Sequence, residues 1–531
     1  MRRLWFALIT CLLAHQAESS QTLSFRTTPR VITHFDSAAP LTAEIEVLTN
    51  EMTALEIELR TADDIEIVPS DGLRRDHRVQ LLGLRPSRNY RVSVLAKEQG
   101  GASVRWQSAE FKAPPLPELF PPFKILVSKP EEMEPGVTIF NLNSAPSGDP
   151  SYIVAVNAIG EVVWYYKASA RVTDVRRLRD GNILYVAPVG LIQNRAIEID
   201  MLGNVVRRWQ AAISPREEGG IDLATDSIHH EMFEMPNGNF LALSSALRKF
   251  DNYWTSETDP KAAKQTANVV DDVVVEFKPN GEILKRWSMM DLLDPYRIGY
   301  GSLGRGWNAA YPNAGGPTHD WGHGNAVIWD EPDDSIIVSL YTQDVVLKFS
   351  RPTGKLIWIL GNHDDWPERL QPFLLKPAGG ADFEWPYHQH APELTPSGTL
   401  LVFDNGAYRA RPFKQATPDE TAYSRAVEYS IDEAGRTITQ IWRYGGPGDE
   451  KFFSRPLGDV DWLPFTGNIL VTDGFHSDPN PPNIWARVIE VTHTSPAKKV
   501  FELNVHVPGR EGSTGWYIYR AERLRSLYPG N

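Results

Sequence analysis

Hydrophobic alternation, a glycine turn and a closing tryptophan recur along this chain, and a unit repeated at a fixed period constrains a fold more tightly than any single motif. The unit reads "YIVAVNAIGEVVW", "RAIEIDMLGNVVRRW", "VVVEFKPNGEILKRW", "VVLKFSRPTGKLIW" and "RAVEYSIDEAGRTITQIW". A last copy, "RVIEVTHTSPAKKVF", lacks the turn glycine and carries Phe501 in place of tryptophan. A second half-repeat precedes most copies: "TDVRRLRDGNILYV", "HEMFEMPNGNFLAL", "HGNAVIWDEPDDSIIVSL", "HAPELTPSGTLLVF" and "DVDWLPFTGNILVTD". Alternation at period two marks half-buried strands, and the short turns between them mark antiparallel hairpins. Four strands per unit, in six units of roughly 40–60 residues, predict an all-β chain with a six-bladed β-propeller over residues 124–531. A parallel β-helix repeats at a much shorter period.

Residues 21–112 carry a different pattern, five short alternating segments from "TAEIEVLT" and "ALEIELRT" to "RVQLLGL", "YRVSVLAKE" and "SVRWQSAEFK". Their spacing predicts a small β-sandwich. The stretch "LLGLRPSRNYRVSV" resembles the fibronectin type III signature, in which a Leu-x-Pro corner precedes a buried tyrosine, here Tyr90. "APPLPELFPPFK" then reads as a stiff, proline-rich linker over residues 113–123. At the start, Arg2 and Arg3 precede an apolar run from Leu4 to Leu13 and the exit Ala17-Glu18-Ser19. That order predicts a signal peptide over residues 1–20 and a periplasmic or secreted location. Cys11, the one cysteine, lies in this segment, so the rest of the chain has neither a disulfide nor a thiol nucleophile. A formal charge of −13 without a Lys/Arg run argues against nucleic acid or an anionic membrane surface as partner. No later segment is apolar enough for membrane insertion.

Aligned on the turn glycines Gly181, Gly238, Gly398 and Gly467, His230 and His390 each stand eight residues before their glycine. His323 takes the same place once the longer "WDEPDD" turn is allowed for, and the other copies carry Thr173 and Asp459 there. The first strand of a propeller unit is innermost, so these histidines are expected to converge at one end of the central channel. Long connections, Ser244 to Asp272, Met289 to Gly322 and Asp404 to Ser424, are expected to open on that end, and long loops around a funnel commonly carry function. His229, His319 and His388 flank the key histidines and read as structural. "GYGSLG" fits G-x-G-x-x-G, but neither a preceding strand nor a following helix supports a nucleotide site.

The pieces "IHHEMFEMPNGN", "HDWGHGNAV" and "YHQHAPEL", with the closing "GWYIYRAERLRSLYPGN", resemble the bacterial arylsulfate sulfotransferases, which need no nucleotide sulfate donor. The resemblance implies an aryl sulfate donor, a phenol acceptor, no cofactor and a homodimer, although the sequence shows no interface. It also implies a transiently sulfated histidine at His390, with His230 and His323 as helpers. The family's arginine, at the end of the strand after the histidine that His323 matches, is missing from "SIIVSLYTQD". Arg409 or Arg411 in "DNGAYRAR" could supply that charge. Arg409, Asn325 and Tyr341 are the candidate substrate-binding residues.

Such chemistry suits imidazoles. A neutral ring attacks sulfur, a protonated one gives its proton to the departing phenolate, and further N–H donors hold the sulfuryl oxygens. These roles need no metal. The same three imidazoles in another arrangement would hold zinc for a hydrolase, and a non-catalytic binding propeller is the third reading.

Overall fold

The computed structural model describes residues 22–145, 151–189, 193–379, 383–479, 482–507 and 515–529; the signal peptide read at residues 1–20 lies outside the described residues. The chain forms two compact units. In the smaller one, Ala43–Arg60 is a single strand of 18 residues. Its first half pairs antiparallel with Arg30–Thr33 and Arg74–Leu81, and its second half with Ile65–Pro69 and Asn89–Glu98. "TAEIEVLT" and "ALEIELRT", expected as separate strands, are therefore one, with a register shift between Leu48 and Thr53 in place of a turn. Tyr90 is buried and stacks on Phe111 at 5.4 Å between ring centroids.

Among the described residues the larger unit has six runs of mainly antiparallel strands, the first and last of which join in one ten-stranded sheet. The first strands of five are Thr173–Arg177, His229–Glu234, Gly324–Asp330, His390–Leu394 and Asp459–Trp462, each pairing with the strand that follows it. The remaining sheet, built on Val137–Ala145, lacks a preceding half-repeat in the sequence. Its missing strand comes from the other end of the chain, as Ala521–Leu524. Gly515–Tyr517 pairs with Val137–Ala145 and with Pro482–Val491 of the last sheet, joining the two. First strands of successive sheets lie in contact, from Thr173–Arg177 through Asp459–Trp462, and Ala521–Leu524 touches the sheets on both sides.

The two signatures of the repeat have separate physical reasons. Gly238 and Gly398 adopt φ of 81° and 78°, and a Cβ at either would meet nothing within 4 Å. Backbone conformation, not space, demands glycine there, as the left-handed residue closing a tight hairpin turn. The tryptophans link one sheet to the next. The indole Nε1–H of Trp164 donates to the Met201 carbonyl at 2.8 Å, that of Trp209 to Pro279 at 3.0 Å, and that of Trp442 to Thr494 at 3.0 Å. Trp358 donates to the Glu433 carboxylate at 2.8 Å. Each acceptor lies on the turn before the last strand of the following sheet. Each indole thus buries its large apolar area and finds a partner for its one polar atom.

Among the described residues no helix is long and apolar enough to cross a membrane. The region Ser244 to Asp272, expected as a loop, is instead a long hairpin extension, with pairing between Phe240–Tyr253 and Gln265–Phe277 continuing to Tyr253 and Gln265.

Trp209 is fully buried between sheets, so Trp209→Ala is expected to cost about 3–5 kcal/mol. Gly238→Ala, which forces only a left-handed alanine, should cost about 1–2 kcal/mol. Urea unfolding followed by tryptophan fluorescence checks both, and a wild-type midpoint for Trp209→Ala would refute the linking role.

Candidate active site

The first strands do not begin smoothly. A bulge interrupts pairing after His229, before Ala326 and after His390. A bulge turns a side chain away from the pleat and tightens the local twist. His230 stands inside its bulge with φ of 55°, while His229 takes the paired position opposite Leu243. His390 itself pairs, opposite Phe403, as Thr173 does opposite Val186. His323 precedes its strand at φ of 47°. The common column read from the sequence is thus met by three different local geometries, yet the rings gather. His230 and His323 meet edge to face at 4.8 Å between centroids. Tyr341 lies 5.5 Å from His323 and 5.2 Å from His390, and Tyr519 lies 6.4 Å from His230 and 6.5 Å from His390.

Hydrogen bonds fix which nitrogen of each ring carries a proton. Asn405 donates through Nδ2 to the carbonyls of Ser454 and Leu457, at 2.7 and 3.0 Å, so its Oδ1 is the acceptor facing His390 Nδ1 at 2.7 Å. His390 therefore carries its proton on Nδ1 and has a bare lone pair on Nε2. A relay does the same for His230. His229 Nε2–H donates to the Ser244 carbonyl at 3.1 Å, leaving His229 Nδ1 to accept from His230 Nδ1–H at 2.9 Å. His230 Nε2 is then unprotonated too. Burial holds both rings neutral: it takes His390 down to about 3 and His230 well below the ordinary value, the charge of His323 acting in the same direction.

His323 is the opposite case. Its Nδ1–H donates to Asp320 Oδ2 at 2.6 Å, and the other oxygen of Asp320 accepts the indole N–H of Trp307 at 3.0 Å. Burial disfavours the charged ring, but the Asp320 carboxylate outweighs that effect and raises His323 above 6.5. The cation in turn keeps Asp320 below its usual range despite burial. Nearby Asp272, which accepts from Gly324 N–H at 2.6 Å, is pushed to about 8 by burial and by the charge of Asp320. With a side chain 35% exposed, His323 is the open member of the cluster, whereas His390 is 4% exposed.

The strands beneath are cross-linked through carboxylates. Asp174 accepts from Met232 N–H at 2.9 Å, Glu231 from Val327 N–H at 3.0 Å, and Glu393 from Trp462 N–H at 2.7 Å. Each bond joins the first strands of adjacent sheets, so the imidazoles stand on a rigid base. Of the flanking histidines, His388 lies between the Tyr300 carbonyl and Asp344, and His319 faces the Leu303 carbonyl. Both have structural contacts, as the sequence reading held, but His229 also sets the tautomer of His230.

Asn325 donates to the Gln389 carbonyl at 2.8 Å and leaves a buried Oδ1 without a hydrogen-bond partner among the described residues. Tyr341 stands between His323 and His390, its hydroxyl donating to the Arg455 carbonyl at 3.0 Å. Arg409 is held by Asp404 and the Tyr423 carbonyl, both at 2.9 Å, with its guanidinium 3.9 Å from the Tyr423 ring. Arg411 is buried against Asp344 at 3.0 Å. Sequence reasoning missed Asp320, Asn405 and Tyr519, and only Asp320, three residues before His323, stands close enough in the chain to have signalled its role.

The arylsulfotransferase (ASST) family model matches residues 124–517, and a model of the arylsulfotransferase Ig-like domain matches residues 36–113. The arylsulfate sulfotransferase AssT of Escherichia coli O6:H1 (strain CFT073) is 31% identical over 295 residues, which is 48% of this chain and 45% of that protein. Its namesake in Lelliottia amnigena is 30% identical over 299 residues, 50% of this chain and 46% of that protein. The chain thus spans about half the length of the curated relatives it matches. With a family model that matches residues 124–517, well over half of its length, this chain belongs to the arylsulfotransferase family.

Proposed function

We propose that the chain moves a sulfuryl group from a phenolic sulfate ester to a second phenol in two steps through His390, in a six-bladed propeller preceded by a separate small sandwich and exported by the N-terminal segment. The observation that carries this reading is the sorting of protons. Within one cluster His390 has a bare Nε2 and stays neutral, while His323 is held as a cation by Asp320. A nucleophile must be unprotonated and an acid protonated at the same pH, and two environments that separate the pKa values meet both needs.

In the first step the His390 Nε2 lone pair forms a bond to sulfur and the S–O bond to the aryl group breaks. The departing phenolate takes the Nε2 proton of His323. In the second, the oxygen of the acceptor phenol bonds to sulfur, its proton passes to His323, and the N–S bond breaks to restore neutral His390. Asn405 accepts from His390 Nδ1 throughout, so the ring neither flips nor changes tautomer. His230, neutral with its own bare Nε2, packs edge to face on His323 and supports that ring through both steps.

A zinc hydrolase would need three bare imidazole nitrogens around one point. Among the described residues no group of three or more His, Cys, Asp or Glu is placed to hold a metal ion.

Three results are expected. Donor supplied without acceptor should leave a sulfated peptide containing His390, with parallel-line kinetics when both substrates are varied. His390→Asn should lower turnover by at least ~10³. A label mapping to His230, the other neutral imidazole, would overturn the assignment of the nucleophile. The pH profile follows from the signs of the shifts. His390, depressed to about 3, stays neutral through mild acid, so the acid limb should fall near that value. His323, raised above 6.5, keeps its proton through neutrality and loses it as the pH climbs, which gives the alkaline limb. Asp320→Asn removes the main influence that raises His323 and leaves only the weaker one of Asp272 against burial, so the alkaline limb should move down by about 1 unit or more. An unmoved limb in a folded Asp320→Asn protein would show that His323 is not the acid.

A further inference from the structure

An aryl sulfate is a monoanion with three sulfuryl oxygens, and His323 offers it one charged N–H. This deficit rests on the transfer reading above. In this chain the family's arginine is missing, and Tyr341 near the end of that strand directs its one donor to the Arg455 carbonyl. The neighbouring arginines are otherwise engaged. Arg409 and Arg411 bind Asp404 and Asp344, and Arg455 pairs with Asp419 while covering the Tyr408 ring at 4.5 Å.

Arg171 differs. It stands two residues before Thr173, the position that pairs as His390 does in its own sheet, and so enters from the same end of the first strands as the imidazoles. Its backbone is pinned through the next residue. Val172 N–H donates to Asn143 Oδ1 at 2.9 Å, and the Val172 carbonyl accepts from Asn143 and Asn141 at 2.7 and 3.0 Å. Asn141 Oδ1 also accepts from Tyr519 N–H at 2.9 Å, and Tyr519 is the ring lying against both His230 and His390. Asn143 pairs with Tyr517, and the charge of Arg171 reaches the Tyr517 phenol. The side chain is half-buried, its charge reaches His230, and among the described residues it has no carboxylate partner within ion-pair distance. A guanidinium carried at this end of the first strands offers a fork of N–H donors suited to an oxyanion.

We propose that Arg171 binds the sulfuryl oxygens of the donor, supplying the charge that the missing arginine leaves. It forms no covalent bond; it holds the oxygens while sulfur passes to and from His390.

The test uses the full chain with a chromogenic aryl sulfate and a phenol acceptor, and separately with inorganic sulfate as the probe. Arg171→Gln should lower kcat/KM for the donor by ~10²-fold, as loss of an oxyanion donor does, and Arg171→Lys should fall between the two. Inorganic sulfate should raise the melting temperature of the wild-type protein and inhibit competitively with donor, and both effects should be lost in Arg171→Gln. An Arg171→Gln protein with wild-type donor kcat/KM and wild-type sulfate response would overturn the assignment while leaving the transfer reading intact. Conversely, sulfate binding that depends on Arg171 in a protein that transfers nothing would support this anion site and refute the transfer reading. If Arg171→Gln fails to fold, Arg171→Lys decides: unchanged donor kcat/KM and sulfate inhibition overturn the proposal, and a loss in both supports it.

Discussion

The reach of each closing tryptophan into the next sheet is the contact on which the larger unit depends. A sheet with one face apolar has to cover it, and here the indole of one unit covers part of that face and ends on a turn of its neighbour. Trp164, Trp209, Trp358 and Trp442 repeat this contact around the unit. The final unit cannot: it ends in Phe501, which has no polar atom to donate. There the chain uses backbone instead, with Ala521–Leu524 and Gly515–Tyr517 completing and joining the first and last sheets. The departure of the last repeat from the pattern and the return of the C-terminal segment therefore address one problem, the joining of sheets that lie far apart in sequence.

Sheets fastened on their outer strands leave the inner strand ends free to deviate from regular pairing, and the site is built from those deviations. His230 with its positive φ and the bulge after His390 are irregularities that an isolated hairpin would relax. Backbone strain of this kind costs of order 1–3 kcal/mol per residue and persists only where the surroundings over-determine it. The cross-links Asp174–Met232, Glu231–Val327 and Glu393–Trp462 supply that determination directly beneath the rings.

Much of this was legible in the sequence, and the limits follow from distance along the chain. Hydrophobic period, turn glycines and tryptophans are local signals, and they gave the strands, the repeat and the histidine positions. Register was less legible, because an alignment on glycines cannot see a bulge: His230 and His390 occupy one column in the sequence but different pairing positions in the sheets. The residues that give the imidazoles their chemistry were hidden for the same reason. Asn405 sits 15 residues after His390, beyond a hairpin, and Tyr519 arrives from the far end of the chain. Arg409 looked available because a sequence shows a charge without its partner, here Asp404. The long connection Ser244 to Asp272 misled in the other direction, since a hairpin that extends beyond its sheet reads like a loop when its length is compared with the other repeats.

The carboxylates of the inner strands raise the last question, because a base rich in negative charge would repel the anion the site is proposed to bind. Two unit charges 4 Å apart interact by about 4 kcal/mol at an effective dielectric of 20, enough to decide whether an ester enters. Burial removes most of that opposition. It lifts Glu231, next to His230, to about 8, with repulsion from Asp174 adding to the effect and Arg176 opposing it, and it lifts Glu393 to about 8. Asp459 and Asp461 are raised as well, and Arg520 pairs with Asp174 and Glu231 at 2.7 and 3.1 Å. Around the rings, Asp272 is raised to about 8, Asp320 is held as an anion with its charge matched by His323, and Asp344 is likewise lowered beside His388 and Arg411. The same desolvation that keeps His390 neutral for attack thus raises the carboxylates below it, and Arg176 and Arg520 offset the charge they retain, so the nucleophile and the space for its anionic substrate share one physical cause.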